Sequence, residues 1–308
     1  MAGLLICRVA LADICASWPV RPQLSAGPGR SGRSCLPGPI GCFEPLTAYA
    51  AAVPFPLAHP AAVLPLLRRP FVASALVAGA LAPDLLYIGP LYTFATRYIH
   101  GNFTLTLTHE FSSAFWLDPL LALVALLIFH LLLKRPLIAL APPALAGRLP
   151  AAERPGFLWV VISVFIGGLT HVLWDSFTHG DGYFVQHWSF LSTAITPTWD
   201  VNRVLQYVSS VGGVLAIAVY LVFWWRRTTA RPVGDGLAPA VRYGVLAAAC
   251  LLALAFAVVA VRRAAADSTD ELVGEAVVRF ALTGLASGAV AALAVYVLAW
   301  QAFRLRRT

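Results

Sequence analysis

His171, Asp175 and His179 recur at intervals of four in the run GGLTHVLWDSFTHGDG. Residues four apart share one helix face and lie about 6 Å apart along its axis. An imidazole and a carboxylate so placed can grip one divalent cation, as paired histidines do on zincin helices. His179 reaches the same ion only if the helix ends near Gly180, and Thr178, Gly180, Asp181 and Gly182 favour such an ending. Asp84, at the close of GALAPDLLY, and His109, in THEF, fall at the same end of the chain's apolar segments. His59 joins them if the first apolar arm starts on that side. The competing reading is a solvated helix end, or a His–Asp pair that fixes helix packing. His100 and His187 read as solvated loop residues, and His130 as a packing or interfacial residue. Trp174, Trp188 and Trp199 fit an aromatic belt at a membrane surface.

The elements that must carry these residues are membrane helices. Hydrophobic residues make up 59% of the 308 and charged residues 12%, against roughly 25% charged in ordinary soluble domains. A span needs about 20 mainly apolar residues, and five runs qualify: 113–133, 157–178, 206–225, 243–261 and 280–303. A further apolar region, 57–90, is split by Arg68-Arg69-Pro70 into two arms too short to cross alone, and reads as a helical hairpin. The expected fold is therefore an all-α, polytopic transmembrane helix bundle of five full spans plus this hairpin. No internal repeat suggests an inverted-repeat transporter.

Charge gives an orientation. Segments 134–156 and 226–242 carry Lys134, Arg135, Arg148, Arg154, Arg226, Arg227, Arg231 and Arg242, and the tail carries Arg304, Arg306 and Arg307. The positive-inside rule places these in the cytoplasm of a plasma-membrane protein. The His/Asp-bearing loops are then extracytoplasmic. The formal charge of +8 is explained by these flanks, and no basic stripe interleaved with aromatics points to nucleic acid.

Residues 1–52 differ. Pro19 to Pro45 is rich in Pro, Gly, Ser and Arg and lacks helical periodicity, as in a disordered segment. The abrupt change before VPFPLAHP suggests Val53 as the biological start, the alternative being a genuine cytoplasmic tail. GPGRSG at 27–32 lacks the lysine of a phosphate-binding loop and reads as linker. Four cysteines in the first 42 residues have neither zinc-site nor redox-pair spacing. The expected domains are 1–52, a helical membrane core at 53–225 and a C-terminal pair of transmembrane helices at 226–308.

PFPLAHPAAVLPLLRRP, SALVAGALAPDLLY, THEFSSAF, GGLTHVLWDSFTHGDGYFVQHWSFL and VLQYVSS, in that order, resemble a bacterial membrane family of unknown function, domain of unknown function 4184. The likeness runs from about Val53 to Trp225. That family in turn resembles membrane-bound metal-dependent hydrolases of the zinc-dependent phospholipase C type. The shared skeleton is an early His, a Pro-Asp after a small-residue helix, a Thr-His in the next loop and a later His-x-x-x-Asp. The resemblance implies His59, Asp84, His109, His171 and Asp175 as metal ligands. Those hydrolases often carry His-Arg-Gly shortly before Thr-His-Ser; here His100-Gly101 lies further upstream and Glu110 replaces the serine.

Two functions compete. One is a hydrolase acting on a lipid-like ester or phosphoester at the outer membrane–water interface, with a divalent ion, zinc first, held by imidazoles and carboxylates. Such an ion acidifies a water, and His179 or Glu110 serves as general base or orienting group. The other is a non-enzymatic membrane protein, whether scaffold, transporter or metal sensor, in which the cluster is a packing or relay network.

Overall fold

The computed structural model describes residues 56–87, 107–149, 155–197, 199–232, 236–267 and 274–306. The expectations for 1–52, for Val53 and for His100 lie outside them. The described chain is an all-α membrane bundle with five helices long and apolar enough to cross a bilayer.

Pro56–Leu66 winds as a 3-10 helix, because Pro60 and Pro65 remove backbone donors that an α-helix would need. Helix α1 (Ala73–Leu81) follows, and after Ala82 a 3-10 turn, Pro83–Tyr87, carries Asp84. These two arms pack on each other, so the sequence's hairpin is present over its described residues. Short 3-10 turns at Leu107–His109 and Ser113–Phe115 lead into α2 (Leu117–Ile128). A π-helical segment, Phe129–Leu133, joins α2 to α3 (Lys134–Leu140), and α4 (Pro143–Ala146) is a single turn. The long helices are α5 (Phe157–Thr178), α7 (Val201–Arg227), α8 (Pro239–Asp267) and α9 (Glu275–Leu305). Between α5 and α7 lie α6 (Tyr183–His187) and an antiparallel two-stranded ribbon, β1 (Ala194–Thr196) and β2 (Trp199–Asp200).

The π segment has a cause in the sequence. Pro136 has no N–H to give the carbonyl of Leu132, four residues back. The side-chain amide of Gln301 on α9 donates to Leu132 O instead, at 3.2 Å. Tyr296 Oη donates to Pro136 O at 2.8 Å, so α9 satisfies the distortion from outside.

Helix ends overrun the apolar runs that mark them in the sequence. The first span continues through Lys134-Arg135 to Leu140, since both are good helix formers and a helix need not stop where the hydrocarbon does. α7 likewise begins at Val201, ahead of its apolar run.

The core contact is α1 against α5, and it is nearly backbone on backbone. A Cβ on Gly79 would collide with Val164 O, and one on Gly167 would collide with Leu76 O and lie 2.7 Å from Ala80 N. The Val72 N–H, at the start of α1, donates to Ser163 Oγ at 2.9 Å. This close approach seats α5, which carries His171 and Asp175, beside the end of α1, after which the 3-10 turn with Asp84 begins.

Candidate metal centre

Residues separated by over one hundred positions in the chain converge at the C-terminal end of α5. His171 and Asp175 project from its last two turns, both buried. The 3-10 turn after α1 brings Asp84, the Pro56–Leu66 segment brings His59, and the Leu107–His109 turn brings His109. All five residues expected as ligands are therefore in one cluster.

Its geometry is two-sided. Asp175 Oδ2 lies 3.0 Å from His171 Nε2 and 3.4 Å from His109 Nε2. The other oxygen, Oδ1, lies 3.6 Å from His59 Nε2 and 3.5 Å from His179 Nδ1. Asp84 repeats the pattern: Oδ1 is 3.4 Å from His109 Nε2 and 3.9 Å from His171 Nε2, while Oδ2 is 3.9 Å from His59 Nε2. The His59 and His171 rings stack with centroids 3.7 Å apart. Two overlapping trios, His59–Asp84–His171 and His109–His171–Asp175, each have ligand atoms within 4.8 Å of one another.

Hydrogen bonding assigns the donor atoms. His171 Nδ1 lies 2.7 Å from Ala80 O, which places a proton on Nδ1, so that the neutral imidazole turns an Nε2 lone pair to the cluster. That lone pair opposes an Asp175 oxygen at 3.0 Å. Buried and without a hydrogen-bond partner are His59 Nε2, His171 Nε2, Asp84 Oδ2, both Asp175 oxygens and His179 Nδ1. Leaving such groups unsatisfied costs about 1–3 kcal/mol each. A set of lone pairs aimed at one another is stable only with positive charge among them, and imidazole nitrogens with carboxylate oxygens suit zinc, manganese or iron.

Protonation fits the same account. Burial holds the His59 imidazole down at about 4, so it is neutral. His109 titrates above its ordinary value: burial opposes this, but the hydrogen bond to Asp84 and the charge of Asp175 outweigh it. Asp84 is held low in turn, its burial outweighed by His109 and the other histidines. A metal ion bound by His109 would displace a proton from it, so affinity should rise roughly tenfold per pH unit wherever His109 is protonated in the ion-free protein. Metal titrations at pH 6 and pH 8 check this; equal affinities would refute it.

His179 reaches the cluster because α5 stops at Thr178. His179 itself is extended, its N–H donating to Asp175 O at 2.9 Å. Glu110 does not reach it. That side chain is exposed and accepts a hydrogen bond from Ser112 Oγ at 3.4 Å. His187 stacks on Tyr183, and His130 is exposed in the π segment.

Asp118 is the residue that sequence reasoning missed. It is fully buried in the first turn of α2, with Oδ2 accepting from Ser113 Oγ at 2.9 Å and Oδ1 lacking any hydrogen-bond partner. Its Cβ lies 3.5 Å from where a Cβ on Gly168 would sit, one turn before His171, and its charge acts on His171 and His109. A carboxylate inside a membrane span was the available signal. Asp118→Asn should weaken metal binding roughly 10–100-fold without abolishing it, read by competition with a chelating dye. An unchanged affinity would make Asp118 a packing residue.

The model of domain of unknown function 4184 matches residues 53–298. The chain belongs to this family. Every residue of the cluster lies inside the DUF4184 match. No curated protein and no solved structure matches the chain.

Proposed function

We propose that this DUF4184 protein is a metal-dependent membrane hydrolase whose centre is held by His59, Asp84, His109, His171 and Asp175. The observation that carries the metal is the set of buried lone pairs with no partner, above all His171 Nε2 opposite Asp175 Oδ2. The divided oxygens of Asp84 and Asp175, each carboxylate serving histidines on two sides, support room for a second ion.

A bound ion supplies Lewis acidity and lowers the pKa of a coordinated water. The chain's own residues do the rest. Ala80 O orients His171, and Thr108 Oγ1, 3.1 Å from His109 Nδ1, orients His109. His179, at the partly open edge of the cluster, is placed to accept a proton from a water. The exposure of Glu110 favours His179 over it for that role.

Zinc is the first expectation for the ion and a lipid ester or phosphoester for the substrate. The location supports the latter, since exposed Phe111, Phe115, Trp116, Trp188 and Phe190 lie in the segments around the cluster, as at a membrane surface. The basic flanks support an extracytoplasmic centre in the plasma membrane. Arg148 stacks on Trp225, and Arg242 Nε donates to Leu140 O, gathering basic residues where the spans leave the bilayer on the other side.

Elemental analysis of detergent-purified protein beside a His171→Ala/Asp175→Ala double variant tests the centre. At least one zinc, manganese or iron per chain, lost in the variant, is the expected result and justifies a screen of lipid esters and phosphoesters. No metal in either sample after reconstitution would leave the cluster as a packing or relay network in a non-enzymatic protein.

A further inference from the structure

The donor atoms of the cluster divide into two sets, and each set takes one oxygen from each carboxylate. In the first, Asp175 Oδ2 faces His171 Nε2 at 3.0 Å and His109 Nε2 at 3.4 Å, and Asp84 Oδ1 faces the same nitrogens at 3.9 and 3.4 Å. In the second, Asp175 Oδ1 faces His59 Nε2 at 3.6 Å and His179 Nδ1 at 3.5 Å, and Asp84 Oδ2 faces His59 Nε2 at 3.9 Å. Among these distances no nitrogen belongs to both sets. In a tetrahedral zinc site with ligands at about 2.0–2.1 Å, neighbouring donor atoms stand about 3.3 Å apart. Nitrogen–oxygen separations of 3.0 to 3.9 Å therefore suit the edges of two coordination shells, one for each set.

The stacked histidines point to two ions rather than one. The His59 and His171 rings are 22° from parallel, with centroids 3.7 Å apart. An imidazole lone pair lies in its ring plane, so rings stacked in this way cannot both direct one at the same ion. Their spacing instead matches the roughly 3.5–4 Å between ions in two-metal sites. The second set is also the one in greater need of a cation. His59 Nε2, Asp84 Oδ2, Asp175 Oδ1 and His179 Nδ1 are all buried without a hydrogen-bond partner. In the first set, by contrast, His109 hydrogen-bonds Asp84.

We infer that the cluster holds two divalent ions bridged by Asp84 and Asp175, and that His179 is a ligand of the second. This rests on the metal centre proposed above and adds His179 to its ligands. His179 then accepts a proton only in the singly loaded protein, because in the doubly loaded one its Nδ1 lies on the ion. The first set fills first. Ala80 O and Thr108 Oγ1 orient its two imidazoles, and the charge of Asp118 acts on both. His179 instead stands just past the end of α5, at the partly open edge.

The test loads tag-free, detergent-purified full chain, first stripped of metal, with Mn(II). Uptake is read by elemental analysis and by electron paramagnetic resonance. The wild-type protein should load in two steps, the spectrum of an isolated ion at low metal giving way to that of an exchange-coupled pair at saturation. His179→Ala should lose the weaker step and the coupled spectrum, halve the saturating metal content and keep the tighter step. The wild-type spectrum needs no variant, and His59→Asn, which removes Nε2 from the same set, repeats the loss independently of position 179. Saturation of the wild-type protein at a single, isolated ion would overturn the inference and leave the metal centre standing. So would a coupled pair that survives in His179→Ala. No metal bound by any of the three proteins would refute the centre itself, and the second ion with it.

Discussion

Asp175→Asn should empty the proposed metal centre. Its carboxylate lies within 3.6 Å of nitrogens from His59, His109, His171 and His179, so no other single side chain touches as much of the site. Asparagine keeps the volume but removes the charge and turns an NH2 toward two of the imidazoles. Loss of an outer partner of a ligand typically costs 10–100-fold in affinity, so loss of a ligand shared by four histidines should cost roughly a hundredfold or more. Stability follows by mass action. If the wild-type protein is held at about one hundred times its metal dissociation constant, binding adds about 2.7 kcal/mol, and a chelator should lower its melting temperature. The Asp175→Asn protein should melt at the same temperature with and without chelator. Glu110→Gln is the control, since Glu110 is exposed outside the cluster, and should leave both metal content and melting unchanged. A variant at position 175 that retained full metal would refute the assignment.

Gly167→Ala should unseat the α1–α5 contact and weaken the proposed metal centre with it. One added methyl would collide with Leu76 O, lie 2.7 Å from Ala80 N and 2.9 Å from the Cα of Gly79. These are backbone atoms, which cannot rotate aside as a side chain would. The helices must separate, at a cost of roughly 1–3 kcal/mol or more. Ala80 sits opposite, and its carbonyl is what orients His171. Separation therefore loosens the imidazole as well as the packing. The expected result is a lower melting temperature together with weakened metal binding, although position 167 touches no ion. Gly212→Ala is the matched control, because nothing lies within 4 Å of a Cβ there. A Gly167→Ala protein with wild-type stability and metal content would mean the helix contact is looser than these distances.

The spans were legible in the sequence because a bilayer demands about 20 apolar residues and tolerates few charges. Their ends were not, since hydropathy marks where lipid stops rather than where backbone hydrogen bonding stops. Lys134 and Arg135 close an apolar run but lie inside a continuous helical rod that reaches Leu140. Within the cluster, His171 and Asp175 were legible from helical spacing alone. Asp84 and His109, with His59 on one condition, were legible only as polar residues at the same end of the apolar segments, and the family resemblance was needed to read them as ligands. Asp118 was hidden in an apolar run with no histidine four residues away. Glu110 follows His109 directly, but the 3-10 turn ends at His109 and the Glu110 side chain is exposed.

The split origin of the centre imposes an order on its biogenesis. A chain emerging from the ribosome presents His59, Asp84 and His109 long before His171 and Asp175, and the earlier three have no α5 to pack against until that helix has inserted beside α1. Closing loops of this length before any contact repays it is entropically unfavourable. On the proposed reading, metal loading is a late event that reports the docking of the N-terminal hairpin. A nascent chain halted at Gly156 should then retain no metal and one extended past Gly182 should, the ion acting as a latch closed by the last turn of α5.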